Sequence, residues 1–319
     1  MTDYVSHQVR VRVPATSANL GPAFDSAGLC LALYDDLAAQ VTPAGLVVEV
    51  TGEGDGLLPL DERHLVVRAL RATLDRLGGQ PAGLRLSCTN RIPQARGLGS
   101  SSAAVVAGVL AGRALVLDGA ERLDDDAVLA LADEIEGHPD NVAACLRGGF
   151  TLAWRDANGV HAVRRDAHRE LLPVAFVPQE RSSTREVRGL LPESVPHPDA
   201  AAGAGRAALL VLALTDEPGL LMAATEDRLH QPYRATAMPA TAALVASLRA
   251  QGVPAVVSGA GPTVLALTLG RSAEALAARA PTGWAARVLD VDPVGAVVLS
   301  SGPARRLADR RTVCDPDRA

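Results

Sequence analysis

Apolar and polar residues change rhythm along the chain, and the changes mark its elements. "HQVRVRVPA" alternates, which predicts a strand running to Val13. "TSANLGPAFDSAG" is rich in turn formers and predicts a loop. "LCLALYDDLAAQV" and "LVVEVTG" predict two more strands, and "GEGDG" (Gly52–Gly56) a turn. "RHLVVRALRATLDRLGG" has helical spacing and ends at Gly78 and Gly79. "GLRLSCTNRI" predicts a strand, followed by a Gly/Ser loop and an Ala/Val-rich helix starting near Ser101.

Asp124–Asp126 open a further helix, and Pro139 sits at the first position of another. "FTLAWRD" and "VHAVRRD" predict a hairpin around Asn158–Gly159. "LLPVAFVPQ" predicts a strand opening a second domain. Helices are expected at "STREVRGLLP", "DAAAGAGRAALLVLAL" and "ATAALVASLRAQG", and "PAVVSGAGPTVLALTLG" reads as strand, glycine turn, strand. Strands and helices without a steady βαβ rhythm predict an α+β fold rather than a doubly wound sheet. The division expected is 1–165, 166–300 and a polar tail over 301–319.

Composition narrows the chemistry. The chain has 319 residues, 48% hydrophobic and 21% charged, enough for two domains with a sizeable core. At 3% aromatic and net charge −5 it offers neither stacking platforms nor a basic footprint, so nucleic acid is an unexpected partner. No apolar run reaches membrane-spanning length, and the N-terminus lacks a signal-peptide pattern. Cys30, Cys88, Cys145 and Cys314 are scattered without a CxxC pair, which argues for a reducing cytoplasm. No lysine occurs anywhere, which excludes a Walker A loop, a Schiff base and a Ser–Lys pair.

"PQARGLGSSSA" is the segment richest in candidate chemistry. Gly97 and Gly99 can take positive φ and let a ligand approach the backbone. The N–H groups from Gly99 to Ser102 then face an anion at a helix N-terminus. A Ser-capped core helix after a glycine turn fits the loop alone equally well.

Four segments in order, "VPATSANLGPAFDSAG", "PQARGLGSSSAA", "EGHPDNVAA" and "SGAGPTV", resemble the GHMP kinase superfamily, over roughly Val9 to Leu299. "SANLGPAFD" with Gly28, "EGHPDN" and "STREVRGLLP" resemble its homoserine kinase branch, with Ala23 where that branch carries glycine. The resemblance implies a ribosomal protein S5 domain 2-like N-terminal domain and a ferredoxin-like C-terminal domain. It implies ATP and Mg²⁺, L-homoserine as the acceptor, a cytoplasmic enzyme, and dimers among relatives.

Site residues follow from the same resemblance. Pro93, Gln94, Ala95, Arg96, Gly97, Leu98, Gly99, Ser100, Ser101, Ser102 and Ala103, with Thr184, are expected around ATP. Glu136 is expected on Mg²⁺ with Ser101 or Ser100, and Glu134 ranks below it. Asn19, Glu136 and His138 are expected in catalysis. Asn19, Asp25, His138, Arg188 and Arg234 are expected on the amino acid, with Asp25 at the ammonium and both arginines at the carboxylate. No residue stands out as a catalytic base. Another small-molecule kinase of the superfamily, or a non-catalytic sensor on its fold, are the alternatives.

Overall fold

The computed structural model describes residues 2–181 and 187–299. Two sheets carry the described chain. The first has seven strands: β1 (Val9–Ala18), β2 (Ala27–Thr42), β3 (Gly45–Gly52), β4 (Gly83–Asn90), β5 (Phe150–Asp156), β6 (Gly159–Arg165) and β11 (Val297–Leu299). Its main path runs β11-β1-β2-β4-β3, with β5 bridging β2 to β6. The second has four: β7 (Leu171–Pro178), β8 (Ala255–Val257), β9 (Val264–Leu269) and β10 (Trp284–Val288), in the order β10-β7-β9-β8, every pair antiparallel. Helices bridge β7 to β8 and β9 to β10, which is the ferredoxin-like arrangement.

Helices α1 (Leu65–Arg76), α2 (Ser100–Leu115), α3 (Gly119–Arg122), α4 (Asp125–Glu136) and α5 (Pro139–Arg147) go with the first sheet. Helix α1 buries Val66, Val67, Ala69, Leu70, Thr73 and Leu74, a stripe at helical spacing. That stripe lies tightly on α2: a Cβ at Gly108 would stand 2.6 Å from the Val66 carbonyl oxygen. Helix α2 is therefore buried along nearly its whole length, and its first turn is fixed by the core behind it.

The Asp124 carboxylate caps α4 by accepting from the Ala127 N–H, as its acidic start predicts. Gly137, left-handed at φ 86°, ends that helix, and Pro139 starts α5 immediately after.

The predicted loop "TSANLGPAFDSAG" is shorter than expected. Strand β1 continues past Val13 to Ala18, and β2 begins at Ala27. The register shifts between Pro14 and Ala15, after which Ala15–Ala18 pair with Leu31–Gly28. Those turn-forming residues are buried, and pairing satisfies backbone groups that water cannot reach. The strands β10 and β11 and the short helices were not foreseen. Thr184, with the first four residues of the expected "STREVRGLLP" helix (183–186), and the expected tail over 301–319 lie outside the described residues.

Candidate active site

A cavity of about 540 Å³ opens beside the N-terminus of α2. The Gly/Ser loop before α2, expected to hold phosphates, forms one wall. Gly97 and Gly99 take φ 78° and 70°, and Ala95 also has positive φ, at 55°. Any side chain at Gly97 is excluded by a neighbour as well as by φ, since its Cβ would stand 2.2 Å from the Ser258 carbonyl oxygen. The loop is thus clamped to the "SGAGPT" turn: Ser258 Oγ donates to the Gly97 carbonyl (2.6 Å), and the Thr263 N–H donates to the Arg96 carbonyl (3.2 Å).

Of the residues expected around ATP, Gln94, Ala95, Gly97, Gly99 and Ser100–Ala103 line the cavity. Pro93, Arg96 and Leu98 do not. Leu98 belongs to the core. The Arg96 guanidinium donates to the carbonyls of Pro178, Gln179 and Gln94, tying the loop to β7. The α2 N-terminus leaves the N–H groups of its first turn without helical acceptors, an arrangement able to receive an anion.

The end of α4 meets this turn. Ser101 Oγ and Ser102 Oγ donate to the same Glu136 oxygen, Oε1, at 2.5 and 2.8 Å. A carboxylate and a hydroxyl at one point form the hard oxygen set that suits Mg²⁺, which takes few protein ligands and completes its shell with phosphate and water. Glu134 instead pairs with Arg76 on the surface. Arg155 braces the last turn of α4. It donates to both Asp133 oxygens (2.6 and 2.8 Å) and to the Gly137 carbonyl (2.9 Å).

The β1–β2 turn forms another wall. Asn19, Leu20 and Asp25 are non-glycine residues at φ 68°, 48° and 54°. The Asn19 side chain holds this strained turn by both ends. Its Nδ2 donates to the Gly259 carbonyl and its Oδ1 accepts from the Asp25 N–H, each at 2.9 Å. Asp25 and Arg188 form a forked pair at 2.7 and 2.9 Å. Arg234 is 2% exposed, and its Nη1 lies 3.2 Å from His230 Nδ1. The Nε of Arg188 and of Arg234 are buried without an acceptor among the described residues.

His138 stands at the N-cap position of α5, makes no side-chain capping hydrogen bond, and lines the cavity. Burial, and then the Arg188 charge, hold its pKa below the usual histidine value, so it is neutral at pH 7.

Asp140, Asp35 and His64 are among the lining residues missed in the sequence. Asp140, 3% exposed, has its carboxyl pushed up to about 7 by burial, against the hydrogen bond from the Asn141 N–H. Asp35 is pushed up to about 6, also by burial, while accepting from the N–H groups of Arg91 and Ile92 at the entry to the phosphate loop. His64, 4% exposed at the start of α1, has both ring nitrogens unpartnered among the described residues. The "HPDN" string carried a signal for Asp140; an isolated histidine before an apolar helix carried none for His64.

No helix among the described residues is long and apolar enough to cross a membrane.

The profile described as "GHMP kinases N terminal domain" matches residues 64–149, and "GHMP kinases C terminal" matches residues 210–286. A homoserine kinase of Streptomyces coelicolor is 60% identical over 291 residues, covering 91% of this chain and 94% of that protein. The crystal structure of homoserine kinase from Cytophaga hutchinsonii superposes with a TM-score of 0.80 at 26% identity, covering 94% of this chain and 99% of the other. The L. major mevalonate kinase solved with R-mevalonate shares the fold, with a TM-score of 0.68 at 18% identity over 92% and 100% of the two chains. Phosphate loop, two sheets and sequence identity together place this chain in the GHMP kinase family, within its homoserine kinase branch.

Proposed function

We propose that this kinase transfers the γ-phosphoryl group of ATP to the hydroxyl of L-homoserine, forming O-phospho-L-homoserine for threonine synthesis. The observation that carries the reading is one cavity bounded by a helix-N-terminal phosphate loop and by Asp25, Arg188 and Arg234. An acceptor there needs a carboxylate for the arginines and an ammonium group for the acid. The Nε groups unpartnered among the described residues support this, because a buried N–H without an acceptor is costly until a ligand supplies one.

In this reading the phosphates lie on the N–H groups of Gly99–Ser102. Ser101 and Glu136 would hold Mg²⁺, whose charge offsets that of the phosphoryl oxygens. Leu58, Pro59, Leu65 and Cys88 give the cavity an apolar end for the base, with His64 and Asn90 as polar groups beside it. Asn19 fixes the turn that presents Asp25, and His138, neutral, donates or accepts a hydrogen bond at the acceptor. Thr184 is assigned to the phosphates on sequence alone. Phosphoryl transfer passes through a loose transition state, so positioning and charge carry most of the rate and an early base is not required.

The test measures ADP release with L-homoserine, mevalonate and galactose side by side at saturating ATP. Turnover with L-homoserine alone supports the reading. Turnover with either other alcohol, or nucleotide binding without any turnover, overturns it.

A further inference from the structure

Phe24 lies in the β1–β2 turn, one residue before Asp25. The guanidinium carbons of Arg188 and Arg234 each stand 5.3 Å from its ring centroid. The His230 ring packs 5.2 Å away, tilted by 34°. One half-buried ring is therefore shared by two cations and an imidazole.

The protonation of that imidazole follows from its partners. His230 Nε2 lies 2.8 Å from the Gly21 carbonyl oxygen, which can only accept, and Nδ1 faces an arginine N–H, which can only donate. Nε2 therefore carries the hydrogen and the ring is neutral, so no third charge joins the pair.

Two guanidinium groups gathered at one ring repel each other. Asp25 offsets that by direct contact for Arg188, whose fork takes both of its oxygens, and only through space for Arg234. Asp227, whose carboxylate accepts from the N–H groups of Leu229, His230 and Gln231, adds a second through-space attraction for Arg234 without a direct contact to it. What Arg234 and Arg188 share in direct contact is the Phe24 ring, whose negative quadrupole attracts a cation.

We infer that Phe24 is a positioning residue that sets the demand for a carboxylate on the acceptor, because its ring holds Arg188 and Arg234 together as a single anion receptor. The inference rests on assigning both arginines to the acceptor carboxylate. A leucine at this position fills space without a quadrupole. Arg188 then stays on Asp25, Arg234 loses its direct contact at the same point, and the receptor opens.

The experiment compares the parent enzyme with Phe24→Leu, Phe24→Met and Phe24→Tyr. It reads kcat, the KM values for L-homoserine and ATP, and the inhibition constant of 3-amino-1-propanol, which keeps the hydroxyl and ammonium groups but has no carboxylate. Phe24→Leu and Phe24→Met are expected to raise the KM for L-homoserine about tenfold, the scale of one desolvated cation–π contact. The KM for ATP and the inhibition constant of 3-amino-1-propanol stay within about twofold, and Phe24→Tyr, which keeps the ring face, stays near the parent. A parallel loss toward both acceptors in the folded variants, or an unchanged KM for L-homoserine, overturns the inference. If the parent enzyme does not phosphorylate L-homoserine at all, it is the functional reading that fails.

Discussion

Ser102 Oγ donates to Glu136 Oε1 across 2.8 Å, joining the first turn of one helix to the last turn of another. Glu136 is thus oriented by the same helix end that, in the proposed reading, offers N–H groups to the phosphates. Glu136→Gln should lower kcat at least about 100-fold, the scale of losing an electrostatic contact made in the transition state. Its thermal midpoint should stay close to the parent's. A variant retaining full activity at saturating Mg²⁺ would remove Glu136 from the metal site.

Arg234 is buried, with its Nε unpartnered among the described residues. Arg234→Leu should raise the KM for L-homoserine between about 10-fold and 100-fold, as the loss of a charged hydrogen bond implies. The KM for ATP should change little. Steady-state kinetics with each substrate varied in turn decide the matter, and equal increases in both KM values would count against the assignment.

Gly97 combines positive φ with backbone packed against its Cα. Gly97→Ala should destabilise the protein by roughly 1–3 kcal/mol from φ alone, with the Ser258 contact adding to that. It should also weaken ATP binding, because the loop would have to leave the "SGAGPT" turn. Urea unfolding and nucleotide titration measure the two effects separately. An alanine variant as stable as the parent would mean that the clamp is not needed.

Asp140 gives a pH dependence whose sign can be worked out. Its folded pKa is raised to about 7 from the ordinary 3.8, so the folded state holds a proton that the unfolded chain releases. Its contribution to stability is present below pH 4 and is lost as pH rises toward 7. Asp140→Asn, which stays neutral, should flatten stability over that window and gain relative to the parent at pH 8. Unfolding free energies from urea titrations at pH 5, 6, 7 and 8 test this; parallel curves for the two proteins would show that burial does not hold the proton there.

The residues that composition and spacing could reveal were those whose type is tied to a local task. Gly97, Gly99 and the serines stand out because few other residues fit a phosphate loop, and Asp124, Gly137 and Pro139 because they start and stop helices. Pairings across the chain were not legible. Asp25 and Arg188 are 163 positions apart, and nothing local in either segment says that they meet. The turn formers at Thr16–Ala18 pointed to a loop, but burial and pairing with β2 outweighed their propensity. His64 and Phe24 acquire their roles only from what the fold brings against them.

The first sheet is not complete when β6 is complete. Its edge partner for β1 is β11, and Arg10, Val11 and Arg12 pair with Leu299, Val298 and Val297. During synthesis the N-terminal strand therefore leaves the ribosome long before its neighbour exists. The outer side of β1 keeps unpaired backbone groups until almost the whole described chain has been made, and this is the kind of edge that recruits foreign strands. The order of translation thus exposes the site's own scaffold, and a chain cut before Val297 would keep that edge open permanently.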